Sequence, residues 1–164
     1  FSDFARMPKP EMKKMNLNKV ISRSLNLLKL AEKDITFSLS KNNLALYTKG
    51  DEEQINRVFI NLIKNSIESV NEKKRENAVF KGKINVDIKQ DSDYIYVEIE
   101  DNGVGFDEDN KKKMLTPYYT TKAKGTGLGL AIVTKIISDH NSTILFNSIK
   151  NGAKVEISIP RYYD

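Results

Sequence analysis

Residues 54–69 constrain the fold more than any other stretch of this chain. Ile55, Val58, Phe59, Leu62, Ile63 and Ile67 recur at helical spacing, so the segment reads as a buried helix. Two carboxamides, Asn61 and Asn65, sit beside that apolar stripe; at roughly 100° per residue they lie about 40° apart on one face. Gln54 falls close to the same line. Carboxamides beside an apolar stripe must find partners or cost stability. A bound ligand or metal ion is one such partner.

The rest of the chain supplies elements around this helix. Asn16 or Asn18 is placed to cap a helix running to about Lys33, with Val20, Ile21, Leu25, Leu28 and Leu30 inward. Two short β candidates follow, 35–39 and 44–47, joined by Ser40-Lys41-Asn42-Asn43. Gly50-Asp51 opens the asparagine helix, which fades into the polar residues 71–77. Residues 83–89 and 94–100 alternate apolar and polar on either side of the turn Asp91-Ser92-Asp93, which is the strongest hairpin pattern in the chain. Residues 102–124 have no sustained period, and a stretch of that kind inside a compact domain is usually functional or mobile. A helical pattern over 131–137 and two closing strands, 143–146 and 155–159, flanking Asn151-Gly152, complete the chain.

Bulk properties narrow the function classes. A length of 164 residues, 39% hydrophobic and 30% charged, suits one soluble globular domain. With no cysteine, disulfides, thiolate metal sites and cysteine nucleophiles are excluded. The net charge of +5 is interspersed, and the short basic run Lys111-Lys112-Lys113 follows Asp107-Glu108-Asp109. That pattern reads as a solvated face rather than a nucleic-acid patch, and a mild basic excess suits a polyphosphate ligand. No apolar run approaches the roughly 18 residues of a membrane span, and no signal peptide is visible. Any membrane link is therefore expected outside these residues.

Two glycine-bearing segments carry further chemistry. Asp101-Asn102-Gly103-Val104-Gly105-Phe106 follows a strand directly. Its glycines allow positive φ and close backbone approach, and an ionised Asp101 is a pure acceptor suited to the exocyclic amine of adenine. Gly125-Thr126-Gly127-Leu128-Gly129-Leu130 runs into the last helix, where backbone N–H groups and the helix dipole favour an anion. The string a P-loop requires is missing, and these glycines do not follow a strand as a dinucleotide fingerprint demands.

Taken in order, these segments resemble the ATP-binding catalytic domain of bacterial sensor histidine kinases, a branch of the Bergerat-fold superfamily. Asn61-Leu62-Ile63-Lys64-Asn65 looks like its N box, 101–106 its G1 box, and 125–130 its G2 box. Pro117-Tyr118-Tyr119-Thr120-Thr121-Lys122 looks like its F box, with Tyr at both usual Phe positions. The opening, Phe-Ser-Asp-Phe-Ala-Arg-Met-Pro, resembles the end of the dimerisation helix in nitrogen-regulation kinases of the NtrY/NtrB kind. On this basis residues 1–14 are expected to be the tail of an upstream dimerisation helix and linker, and 15–164 the catalytic domain. The expected fold is a two-layer α/β (α+β) sandwich, with a mixed, mostly antiparallel sheet packed on three helices.

The resemblance implies ATP and Mg²⁺ as cofactors. Asn65 would ligate Mg²⁺, and Asn61 would line the phosphate region; both would be catalytic. Asp101 would meet the adenine amine, while Gly103 and Gly105 would admit the backbone. Residues 106–124 would form a lid, with Tyr119, Thr120, Thr121 and Lys122 against nucleotide. Gly125, Thr126, Gly127, Leu128, Gly129 and Leu130 would wrap the phosphates, and Lys64 is a further phosphate contact. Thr116 and Glu68 depart from the family, which often has an acidic residue at the first position and a basic one at the second. The implied reaction is transfer of the γ-phosphate to a histidine on the dimerisation domain, then onward to a response regulator. The implied setting is a bacterial cytoplasmic domain of a homodimeric protein anchored in the inner membrane. His140 is the single histidine. It falls at a helix end, where a cation is favoured and the ring can cap carbonyls. It reads as structural, so the chain alone is not expected to autophosphorylate.

Two other classes share these motifs. Bergerat ATPases carry a general-base Glu one turn before the metal Asn; Asn61 stands there, and an amide cannot accept the proton of water. A nucleotide-dependent interaction module would bind ATP without transfer. Phosphate transfer to a matched dimerisation domain separates the last from a kinase.

Overall fold

A computed structural model describes residues 7–41, 44–106 and 129–164. The described elements, in chain order, are β1 (Lys13–Asn16), α1 (Leu17–Lys29), β2 (Ile35–Ser40), β3 (Tyr47–Gly50), α2 (Glu52–Glu76), β4 (Gly82–Gln90), β5 (Tyr94–Asp101), α3 (Gly129–Asp139), β6 (Thr143–Ile149) and β7 (Gly152–Pro160). Strands β2-β4-β5-β7-β6 form one sheet. The β2–β4 pair is parallel and the other three are antiparallel. The three helices pack on one face of this mixed, mostly antiparallel sheet, as expected.

The period-2 alternation explains why one face is buried. Ile84, Val86 and Ile88 of β4, Ile95, Val97 and Ile99 of β5, and Val155, Ile157 and Ile159 of β7 all point into the core beneath the helices. On the opposite face Asp87, Glu98 and Glu156 lie side by side in register. Like charges directly opposite one another are unfavourable. Lys89 bridges Asp87 and Glu98, Lys154 reaches Glu98, and Asn147 donates to Glu156.

Asn16 is the α1 cap, accepting from the Lys19 N–H at 3.2 Å. Asn18 is buried and donates to the Leu44 carbonyl. The helix ends at Lys29 rather than about Lys33, so Leu30 falls beyond the buried stripe and is 78% exposed, not inward. The second β candidate also differs from expectation. The Leu44 and Leu46 carbonyls are taken by the α1 N-terminus, through Asn18 and the Leu17 N–H. The ladder therefore runs over Tyr47–Gly50, paired with β1 in a separate two-stranded sheet. The α2 helix does not fade at 71 but continues to Glu76, with Lys73, Lys74 and Arg75 in its last turn where cations suit the dipole.

Candidate nucleotide site

Helix α2 sets the first wall. Asp51 caps it by accepting from the Gln54 N–H at 3.1 Å, and Glu52 and Glu53 occupy the first turn. Ile55, Val58, Phe59, Leu62, Ile63 and Ile67 are all buried. The wheel is therefore fixed, and Asn61 and Asn65 lie half-buried one turn apart. Lys64 is exposed. Gln54, the third amide on that line, is buried and serves the chain's own backbone by donating to the Pro8 carbonyl at 3.0 Å.

The second wall is the turn after β5. Asp101 ends that strand and is only 5% exposed. Its Oδ1 accepts from the Gly103 N–H at 2.9 Å and from the Ser69 hydroxyl at 3.4 Å. Burial pushes the carboxyl above the ordinary carboxylate range, with Glu100 adding to the rise. The Gly103 N–H and the hydroxyls of Ser66 and Ser69 oppose it. The turn itself is pinned from α2: the Val104 N–H donates to the Ser69 carbonyl at 3.3 Å, and the Gly105 N–H to the Ser69 hydroxyl at 3.4 Å.

The glycines here have a structural reason besides a ligand. A Cβ on Gly103 would stand 2.3 Å from Ser69 Oγ and 2.4 Å from its backbone carbon. Gly105 has φ +78°, and a Cβ there would lie 2.8 Å from the Gly152 carbonyl. Asn102, to which the sequence assigned no role, fixes the turn to β4. Its Oδ1 accepts from the Lys83 N–H at 2.8 Å and its Nδ2 donates to the Lys81 carbonyl at 2.9 Å. Lys73 donates to the Asn102 carbonyl at 3.2 Å. On the other side Ser148 accepts from the Phe106 N–H and donates to its carbonyl. Phe106 meets Phe146 edge to face at 5.7 Å. Ser69 and Ser148 were missed because a lone serine carries no signal until the fold places a backbone against it.

An open cavity of about 510 Å³ lies beside this turn, with Glu72, Lys73, Gly103, Phe106 and Asn151 among its lining residues. Asn61 and Asn65 do not line it. Gly129 and Leu130 begin α3, so the end of the 125–130 segment is the start of a helix, the end of the dipole that favours an anion. Among the described residues, nothing stands within 4 Å of where a Gly129 Cβ would be. Tyr119, Thr120, Thr121, Lys122, Gly125, Thr126, Gly127 and Leu128 lie outside the described residues, as do Phe1 to Arg6.

His140 is buried at the other end of α3, and it is not the cation favoured at a helix end. Its Nε2 accepts from the Asp51 N–H at 3.0 Å, so Nδ1 carries the proton and donates to the Ile136 carbonyl at 2.7 Å. A neutral ring thus ties the end of α3 to the start of α2, and the structural reading of this residue holds.

Magnesium can be matched to the donor set without a cage of protein carboxylates. Among the described residues no group of three His, Cys, Asp or Glu is placed to hold a metal. Mg²⁺ does not demand such a cage: it keeps waters and takes phosphate oxygens alongside one or two protein oxygens. The half-buried amide of Asn65 offers one such oxygen.

Residues 50–163 match the sequence profile of the histidine kinase-, DNA gyrase B- and HSP90-like ATPases. The chain belongs to this family. Within it, the chain is a catalytic domain of the sensor histidine kinase type. It is 32% identical over 93% of its length to nitrogen regulation protein NtrY of Azorhizobium caulinodans, of which it covers 20%. It is 36% identical over 94% of its length to an NtrY-like putative sensor kinase of Rickettsia conorii, of which it covers 25%. The catalytic domain of histidine kinase ThkA superposes with a TM-score of 0.78 at 31% identity, over 92% of this chain and 96% of that one. A structure of ThkA in complex with the response regulator TrrA matches with a TM-score of 0.73 at 25% identity, over 92% of this chain and 42% of that one. The chain thus spans about a fifth to a quarter of these two curated relatives.

Proposed function

We propose that this kinase domain binds Mg²⁺-ATP and transfers its γ-phosphoryl group to a histidine on an associated dimerisation domain, from which it passes to a response regulator. The observation that carries this reading is the pairing of two amides, Asn61 and Asn65, on one α2 face with a buried carboxylate, Asp101, pinned to the same helix. Asp101 accepts from the adenine amine. Asn65 lends its amide oxygen to the metal, and Asn61 lines the phosphates. The α3 N-terminus, entered through Gly129 and Leu130, attracts the phosphates, and Lys64 is a further contact. When bound, Mg²⁺ would neutralise phosphate charge. The protein's share is positioning and electrostatics, which suffice for phosphoryl transfer to a ready nucleophile.

The amide at Asn61 favours transfer to protein over transfer to water, because no carboxylate base stands there. His140 is committed through both ring nitrogens, so the acceptor is a histidine of the dimerisation domain. Residues 1–14 connect to that domain, and the Gln54–Pro8 bond holds the connection against α2. The ThkA–TrrA complex supports a response regulator as the onward partner. We assign the full-length protein to a membrane-anchored homodimer; among the described residues no helix is long and apolar enough to span a bilayer.

The test is incubation with γ-labelled ATP, Mg²⁺ and a matched dimerisation domain. Label on the acceptor histidine supports the assignment. Release of inorganic phosphate with no labelled protein contradicts it.

A further inference from the structure

We propose, on the nucleotide-binding reading above, that Ser69, seconded by Ser66, is a positioning residue that sets nucleobase selectivity. Its hydroxyl holds the Asp101 carboxylate as a fixed acceptor, which favours a purine bearing a 6-amino group over one bearing a 6-oxo group.

Ser69 meets the turn at four places. Its Oγ lies 3.4 Å from Asp101 Oδ1 and accepts from the Gly105 N–H at 3.4 Å. Its carbonyl accepts from the Val104 N–H at 3.3 Å. Its Oγ also fills the space that a side chain on Gly103 would need. Ser66, three residues earlier on α2 and 4% exposed, adds a second hydroxyl to Asp101.

The chemistry follows from protonation state. An ionised carboxylate only accepts, which matches an exocyclic amine; a protonated carboxyl also donates, which a 6-oxo group accepts. Burial and the neighbouring Glu100 favour the protonated form. The in-register neighbours, Ile84 on β4 and Ala153 on β7, carry no charge. The nearby ammonium of Lys73 donates to the Asn102 carbonyl. Among the described residues, side-chain support for the ionised form therefore comes from the two α2 hydroxyls, beside the Gly103 N–H.

The test is calorimetric titration of the chain with Mg²⁺-ATP and with the triphosphate of inosine, a 6-oxo purine, over a pH series that spans the Asp101 titration. Wild type is compared with Ser69→Ala, Ser66→Ala and the double variant; alanine keeps the helix. The preference for ATP is expected to fall about three- to tenfold in Ser69→Ala, and further in the double variant. The pH below which ATP affinity is lost should move up, because the ionised form loses a hydrogen-bond donor. A carbon-13 NMR titration of the Asp101 carboxyl without nucleotide should show the same upward move. An unchanged preference with an unmoved Asp101 titration, in either folded single variant, overturns the assignment. If wild type binds neither nucleotide, the nucleotide reading fails and selectivity with it, and the NMR titration tells that result apart from a failed Ser–Asp link.

Discussion

Asp101 and Gly105 show how single residues divide between function and stability. Asp101 is a carboxyl whose burial raises it above 3.8, so between that value and its folded one the native state holds the extra proton. Its contribution to stability is therefore fully present at low pH and is lost as pH rises through the folded value. Asp101→Asn removes this dependence while keeping an oxygen for the Gly103 N–H. We expect the variant to melt no lower than wild type at pH 7, by thermal denaturation, yet to bind ATP at least about tenfold more weakly by calorimetry. Equal affinity would assign Asp101 to structure alone. Gly105→Ala acts oppositely on stability. At φ +78°, and with the Gly152 carbonyl 2.8 Å from the new Cβ, it should cost on the order of 1–3 kcal/mol in chemical denaturation.

At the scale of elements, the segments with strong periodicity were legible and the ones held by tertiary bonds were not. The alternation of β4 and β5 and the stripe of α2 predicted their elements closely, because burial on one side dictates the residue types. Strand β1 carries only one buried residue, Met15, so its sequence Lys-Lys-Met-Asn held no pattern to read. Residues 44–46 looked like a strand because Leu46 is buried, but their carbonyls serve the α1 N-terminus. The residues of the candidate site divide the same way. Asn61, Asn65 and Asp101 announced themselves by type and position, whereas Ser69, Asn102 and Ser148 act through backbone groups that only the fold brings near. The joint between α2 and α3 is of that hidden kind. His140→Ala strips the ring partner from the Asp51 N–H, removes one of two donors to the Ile136 carbonyl and leaves a void. The loss should be about 2–4 kcal/mol in a urea titration. A change within about 0.5 kcal/mol would remove His140 from this role.

For the whole molecule, a helix layer on one sheet face brings α2 against the end of β5 through Ser69 and Asp101, and the family is one of ATP-binding domains; we propose the amides of α2 as part of the same nucleotide site. Placing a carboxylate base beside it should redirect the chemistry. Asn61→Glu is expected to raise steady-state ATP hydrolysis by about tenfold or more, within the range general bases supply. A flat rate in a folded, ATP-binding variant would remove the base argument. We propose that this fold houses a magnesium-dependent ATP site built on Asn65. It is tested most directly by calorimetric titration of ATP with and without Mg²⁺, in wild type and Asn65→Ala. Tight binding is expected only for wild type with Mg²⁺, with the metal's benefit lost in Asn65→Ala. Binding that ignores both the metal and the substitution would contradict it.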